Sequence, residues 1–192
     1  MNSQNSIFKS VSGPALLTAL LLTIPLIASQ FTDEVDWSTG DYILAAILLF
    51  GTGFIYKLIT GKTGTFIYRA GVGIALASSL FLVWANLAVG IVGSEDNLFN
   101  LVYFGVPFIG IISAIIFGFQ SQGLERTMFI MAFAQTLATV TALGTGMHEL
   151  PNSSITEILG VNGLFIVLFT VSALLFRYDE QNQSREQSPK QV

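Results

Sequence analysis

Six long stretches of this 192-residue chain contain no charged side chain, and they restrict the possible folds more than any other feature. A helix that crosses a bilayer needs about 20 apolar residues, because each adds ~1.5 Å against ~30 Å of hydrocarbon. Five of the stretches approach or exceed this length, and the second reaches it if Lys57 extends its ammonium group to the headgroups. The stretches are 10–32, 42–56, 70–94, 97–124, 127–147 and 158–176.

The composition favours a membrane protein over a soluble one. Hydrophobic residues make up 52% of the chain and charged residues 10%, whereas about a quarter of the residues in a soluble domain are charged. The apolar runs are continuous and lack the alternation that is typical of β-barrel strands. We therefore predict an all-α, polytopic membrane protein whose six transmembrane helices occupy 1–176. The predicted helices are 14–30, 42–60, 66–92, 99–119, 127–146 and 158–176.

The C-terminal segment, 177–192, is polar and rich in Gln and Ser, and it has no apolar face. Such a segment cannot bury enough apolar surface to offset the entropy lost on folding. We therefore predict a cytoplasmic tail that is disordered or bound to a partner.

The basic residues indicate how the helices are oriented. All eight fall on one side of the alternating topology. Lys and Arg in short loops stay in the cytoplasm during insertion, so both termini are predicted to be cytoplasmic. The residues are Lys9, Lys57, Lys62, Arg69, Arg126, Arg177, Arg185 and Lys190.

The N-terminus also allows a different interpretation. Lys9, the apolar run 15–28 and the small residues Ala28 and Ser29 are typical of a cleavable signal peptide. Cleavage would leave five helices and an N-terminus outside the cytoplasm. The run is long enough to span a bilayer, so we favour the uncleaved form with six helices.

Eight of the twelve acidic residues lie on the side opposite to the basic residues. Carboxylates provide the oxygen ligands that Ca²⁺ prefers, but their spacing here matches no EF-hand loop. We therefore predict no firm metal site, with weak cation binding by the outer loops as the alternative. The candidate cation contacts are Asp33, Glu34, Asp36, Glu95 and Asp96.

Small residues at a spacing of four predict which helices pack most closely. Membrane helices associate where small side chains let their backbones approach. The third, fourth and fifth helices carry such stripes, whereas the first and sixth are bulky on all sides. We therefore predict that helices three to five form the centre and that helices one and six face lipid. The packing residues are Gly71, Ala75, Gly110, Ala114, Gly118, Ala134, Ala138 and Ala142.

Amide side chains are concentrated towards the outer ends of helices three to six. Asn86, Gly90, Gly93 and Asn97 share one face if helix three is continuous, and Gln135 lies near the midplane. A buried amide needs a partner, so these groups either form hydrogen bonds between helices or line a polar vestibule that leads to Gln135. The candidate vestibule residues are Trp84, Asn86, Glu95, Asp96, Asn97, Asn100, Tyr103, Gln135 and Asn162.

The sequence contains none of the common catalytic motifs. There is no GxSxG, HExxH or phosphate-binding loop, no cysteine, and a single histidine, His148. Intramembrane proteases and proton pumps need ionisable groups within the hydrocarbon, and the predicted spans have none deep inside. We therefore predict a protein that is not an enzyme, carries no cofactor and binds no nucleic acid.

Three segments, QFTDEVDW (30–37), WANLAVGIVGSEDN (84–97) and EILGVNGLF (157–165), carry a resemblance. They are similar to a family of small, uncharacterised bacterial inner-membrane proteins with QFTDEVxW and WxNxAVGxxGSExN segments, and the resemblance covers most of the chain. It implies the bacterial cytoplasmic membrane as the location, and it implies no activity. The second segment falls on Trp84, Asn86, Gly90, Gly93, Glu95 and Asn97.

The sequence as a whole predicts a non-enzymatic, multi-pass membrane module. Such a subunit or accessory protein acts through helix packing with lipid, with a second copy of itself or with a partner subunit. The alternative is a small cation channel or transporter fed by the acidic outer vestibule. Beyond Gln135, however, only Ser79, Ser113 and small residues continue the path, which weighs against a pore within one chain.

Overall fold

The structure is a computed structural model that describes residues 3–32, 36–61, 64–151 and 153–187, with side chains described between Val11 and Glu186. Regular secondary structure within these ranges is entirely helical. Each of the six α-helices found there contains a segment long and apolar enough to cross a membrane. The helices are α1 (Ser3–Ala28), α2 (Thr39–Thr60), α3 (Phe66–Ala88), α4 (Leu101–Phe117), α5 (Ser121–Gly144) and α6 (Ile155–Gln187).

The chain divides into two compact units, Met1–Thr63 and Gly64–Val192. In the first unit α1 packs against α2, and a Cβ added to Gly53 would lie 3.3 Å from the Cβ of Pro14. A capping box begins α2, in which the Ser38 hydroxyl accepts from the Asp41 amide and the Asp41 carboxylate accepts from the Ser38 amide. These bonds satisfy two backbone donors at the start of the helix.

In the second unit, α6 packs against both α5 and α3, and α4 packs against α5. The prediction that helix six lies at the periphery is therefore wrong. One face of α6 forms a buried heptad stripe with alternating spacings of four and three residues. The stripe consists of Ile158, Asn162, Phe165, Phe169, Ser172, Phe176 and Asp179, each at most 1% exposed.

Bulky and small residues complement each other between α3 and α6. A Cβ added to Gly71 would lie 2.9 Å from Cε1 of Phe176, and the Ser172 hydroxyl donates to the Gly71 carbonyl at 2.9 Å. The Phe176 ring also contacts the ring of Tyr68 edge-on at 5.7 Å. The prediction for helix six failed because a bulky helix packs closely when its partner helix presents glycine.

The end of α3 and the start of α5 both differ from the predicted boundaries. Helix α3 ends at Ala88 rather than 92, because Gly90 and Gly93 adopt positive φ angles of +73° and +70°. The expected common face from Asn86 to Asn97 therefore does not form. Helix α5 begins at Ser121 rather than 127.

The predicted disordered tail is wrong for the part that the structure describes, because α6 continues to Gln187. The buried stripe extends two residues beyond Arg177, to Asp179, and holds this segment in the helical unit. Residues 188–192 lie outside the described ranges.

Most of the predicted small packing residues are buried within the second unit. A Cβ on Gly110 would collide with the sulfur of Met131 on α5, which shows how closely α4 and α5 approach. Gly118 differs, since it ends α4 with a φ of +83° and has open space around its Cβ position. The remaining positions are buried at Gly71, Ala75, Ala114, Ala138 and Ala142 and half-buried at Ala134.

Candidate functional site

The candidate site begins with the loop that connects α3 to α4. We call this part of the second unit the Asn100 end: α3 and α5 end there, and α4 and α6 begin there. The Asn100 side chain is 3% exposed. Its oxygen accepts from the amides of Ile91 and Val92 at 3.2 and 3.0 Å, and its nitrogen donates to the carbonyls of Val92 and Ser94 at 3.1 and 2.7 Å. One neutral side chain thus organises the backbone between Ile91 and Ser94.

Further contacts attach this loop to its neighbours. Asn86 donates from its amide nitrogen to the Asn100 carbonyl at 2.8 Å, which ties the end of α3 to the start of α4. The Gly93 amide donates to the Ser153 hydroxyl at 3.2 Å, next to the start of α6. Asn97 caps the short 3₁₀ helix Leu98–Asn100 by accepting a hydrogen bond from the Phe99 amide.

A second amide pair lies deeper, between α5 and α6. The Gln135 amide nitrogen donates to Oδ1 of Asn162 at 2.8 Å, and Asn162 donates to the Ile158 carbonyl on its own helix. Both side chains are 0% exposed. The Tyr103 hydroxyl of α4 faces the Asn162 amide, and its ring is held edge-on by Phe99 at 6.1 Å.

Four of the buried side chains described above carry polar atoms and come one from each helix of the second unit, and we call these four residues the polar layer. Three of them hold an oxygen for which the described residues provide no hydrogen-bond partner, although burial makes such partners close to obligatory. The unpartnered atoms are Asn86 Oδ1, Tyr103 Oη and Gln135 Oε1. The polar layer consists of Asn86, Tyr103, Gln135 and Asn162.

An apolar layer follows the polar layer. On each of the four helices, the residue three or four positions further from the Asn100 end is apolar and at most 2% exposed. Residues at these spacings lie on the same face of a helix, so the apolar side chains continue the inward-facing rows. The apolar layer consists of Leu82, Val106, Met131 and Phe165.

At the opposite end of the second unit, Asp179 makes a site that the sequence did not predict. We call this the Asp179 end: α3 and α5 begin there. The carboxylate is 1% exposed and accepts from the hydroxyls of Thr65 and Ser121 and from the Gln183 amide, the last two at 2.6 and 2.7 Å. Thr65 is also the N-cap of α3, because its hydroxyl accepts from the Tyr68 amide.

The signal for Asp179 was present in the sequence. Extending the heptad of α6 past Arg177 places position 179 on the buried face. The polar composition of the tail hid this periodicity, because the heptad positions after Phe176 carry no apolar residue that would reveal it. Near the same end, an open groove of about 500 Å³ is lined by Glu125, Arg177, Glu180, Gln181, Ser184 and Arg185. Within it, Nε of Arg177 lies 3.9 Å from a Glu125 carboxylate oxygen.

The structure describes three of the five acidic candidates, Asp36, Glu95 and Asp96. Glu95 and Asp96 are exposed on the loop of the second unit, and Asp36 belongs to the first unit. Asp33 and Glu34 lie outside the described residues. Within the described ranges, no group of three or more His, Asp or Glu residues is arranged to hold a metal ion.

The remaining candidate, Trp84, is half-buried on α3, two residues before Asn86. His148 lies in the connection between α5 and α6, where its Nδ1 is buried without a partner in the described structure. Comparison with models of protein families, with curated proteins and with solved structures finds no match to this chain.

Proposed function

We propose that this chain is a non-enzymatic, multi-pass module of the bacterial cytoplasmic membrane that acts through helix packing with lipid or a membrane partner. The observation that carries the proposal is the pair of faces on α4. One face is buried and includes the small residues Gly110, Ser113 and Ala114. The other presents Phe108 and Ile116, which are 63% and 69% exposed.

Large apolar side chains recur on the exposed surface of all six helices. Burying a Leu, Ile or Phe side chain contributes about 1.5–3 kcal/mol relative to leaving it in water, so a surface of this kind favours an apolar surrounding. Lipid supplies one without requiring a second protein. A membrane partner would cover part of the same surface.

The charge distribution supports an orientation with both termini in the cytoplasm. In the second unit, Arg126, Arg177 and Arg185 belong to the half of the bundle that contains Asp179. Glu95, Asp96 and Glu149 belong to the Asn100 end. Basic residues stay on the cytoplasmic side, so the Asp179 end would face the cytoplasm.

The layered interior favours a packing module over the alternative cation pathway. A continuous path would have to cross the apolar layer, where each of the four helices presents a buried apolar side chain. A narrow apolar constriction opposes the entry of water and ions. On the opposite side of the polar layer, the hydrogen bonds of Asn100 fix the backbone of the loop between α3 and α4.

Cysteine labelling in sealed cells tests both the membrane placement and the orientation. The chain has no native cysteine, so each introduced thiol is read without background. Asp36→Cys and Glu95→Cys, at exposed loop positions, should react with a membrane-impermeant maleimide. Ser184→Cys, at an exposed position on the last turns of α6, should react only after permeabilisation.

Two outcomes would contradict the proposal. Labelling of Ser184→Cys in sealed cells would reverse or abolish the assigned orientation. Recovery of the full-length chain from the soluble fraction would contradict its placement in a membrane. An epitope tag at the N-terminus that is retained and protected supports six crossings, whereas its loss would indicate the cleaved, five-helix form.

A further inference from the structure

Two amide oxygens of the polar layer accept no hydrogen bond from the described residues. Asn86 Oδ1 and Gln135 Oε1 are pure acceptors, and the Tyr103 hydroxyl can donate or accept. Turning either amide by 180° does not help, because the oxygen of Asn86 would then face the Asn100 carbonyl and that of Gln135 would face Asn162 Oδ1. The layer therefore requires a ligand that brings donors of its own.

The surroundings limit that ligand to a small, uncharged molecule. The four segments that build the second unit contain no charged residue within 70–94, 97–124, 127–147 and 158–176. A cation in the layer would have no counter-charge near it, and a buried charge without a partner is costly. A water molecule has two donors and two acceptors and needs little space, and buried water commonly satisfies isolated polar groups.

We infer that the polar layer is a binding site for ordered water, which joins α3, α4, α5 and α6 through hydrogen bonds. Gln135 and Tyr103 both adjoin the Asn162 amide. A water molecule beside that amide can accept from the Tyr103 hydroxyl and donate to Gln135 Oε1. Asn86 Oδ1 accepts from a second molecule on the side of α3.

The layer is enclosed on both sides, so its water is bound and does not form a column through the unit. Towards the loop, Val92 is 0% exposed and Asn100 fixes the backbone around it. Towards the Asp179 end lies the apolar layer. The inference depends only on packing within the second unit and goes beyond the proposed function, which would survive its failure.

Hydroxyl-radical labelling by a short X-ray pulse, read by tandem mass spectrometry, detects such water, because radicals form from water next to a side chain. The purified protein contains two buried tyrosines that make a matched pair. Tyr103 is 1% exposed with an unpartnered hydroxyl, whereas Tyr68 is 3% exposed and its hydroxyl donates to the Phe119 carbonyl. Tyr103 should be labelled and Tyr68 should not. Equal protection of both tyrosines would overturn the inference.

A variant and a change of ions complete the test. Gln135→Met removes one acceptor from the layer, and the label on Tyr103 should fall while that on exposed Tyr178 stays the same. Replacing Na⁺ and K⁺ with choline should leave the wild-type labelling of Tyr103 unchanged. A rise in melting temperature specific to Na⁺ or K⁺ that disappears in Gln135→Met would show a cation site instead and would overturn water as the ligand. If Gln135→Met does not fold, the comparison of Tyr103 with Tyr68 in the wild-type protein still decides.

Discussion

At the Asn100 end a neutral amide holds the loop between α3 and α4, whereas at the Asp179 end a carboxylate holds the beginnings of α3 and α5 against α6. Both side chains are at most 3% exposed, but Asn100 accepts from amides eight and nine residues away, whereas Asp179 accepts from hydroxyls 58 and 114 residues away. An amide can donate as well as accept, so Asn100 satisfies both kinds of backbone group in its loop. A carboxylate only accepts, and Asp179 gathers hydroxyl and amide donors.

The position of each group within the helices explains this difference. The first amides of α3 and α5 carry the positive ends of the helix dipoles, and a negative charge close to them is stabilised. The Asn100 end instead contains a loop whose carbonyls and amides both need partners. The comparison teaches that a buried carboxylate lies beside the first turns of α3 and α5, whereas a neutral amide lies where backbone donors and acceptors of one loop converge.

The largest expected effect comes from Asp179→Ala, which leaves the hydroxyls of Thr65 and Ser121 and the amide of Gln183 without their acceptor. Hydrogen bonds to charged groups are the stronger kind, so the free energy of unfolding should fall by about 3 kcal/mol. Thermal unfolding of the purified protein in one detergent measures this. Glu186→Ala, at an exposed position on the same helix, is the control. A loss no larger than that of the control would mean that Asp179 does not hold this end together.

The second prediction compares the contribution of Asn100 to stability with that of Asp179. Asn100→Ala removes four side-chain hydrogen bonds to the 91–94 backbone, but all are between neutral groups, so we expect a loss of about 2 kcal/mol. Amide hydrogen exchange should also accelerate at Ile91 and Val92, which donate to Asn100. Asp96→Ala is the control, because Asp96 is exposed on the same loop. A greater loss for Asn100→Ala than for Asp179→Ala would reverse the order of the two ends.

Between the two ends, Gly110 tests how tightly the helices pack. Gly110→Ala places a Cβ against the sulfur of Met131 and should lower the free energy of unfolding by about 1.5 kcal/mol. Gly105→Ala, on the same helix with open space at its Cβ position, should raise it by about 0.5 kcal/mol. The same sign for both substitutions would show that α4 and α5 are not in close contact at Gly110.

These comparisons also show what the sequence could predict. The six apolar helices followed from the lengths of the charge-free runs, because a 30 Å hydrocarbon layer sets a minimum length that few other folds require. Gly110 and Ala138 were predicted as packing residues from their spacing, and both are buried. Burial of the amides Asn86, Gln135 and Asn162 followed from the cost of leaving them unpaired.

Three-dimensional complementarity was not predictable in the same way. Whether bulky α6 is central depends on the glycine that Phe176 meets on α3. The end of α3 depends on two positive φ angles, which the glycines allow but do not require. Asp179 was missed because one charged residue at the end of a heptad resembles a solvated tail until its partners on other helices are known.

The smallest expected effect concerns the pair of Gln135 and Asn162, which lies between the two ends. Hydrogen bonds between membrane helices contribute only ~0.6 kcal/mol on average. Gln135→Met should lower the free energy of unfolding by about 1 kcal/mol, because it also leaves Oδ1 of Asn162 without a donor.

Replacing both partners removes that unpaired group. The double variant Gln135→Met with Asn162→Leu should therefore be no less stable than Gln135→Met alone, since neither amide of the pair then remains without its partner. Thermal unfolding of the two single variants and the double variant forms a complete cycle. Strict additivity of the two losses would show that the amides act independently, and the polar layer would then differ in kind from both ends, where single side chains bind several partners at once.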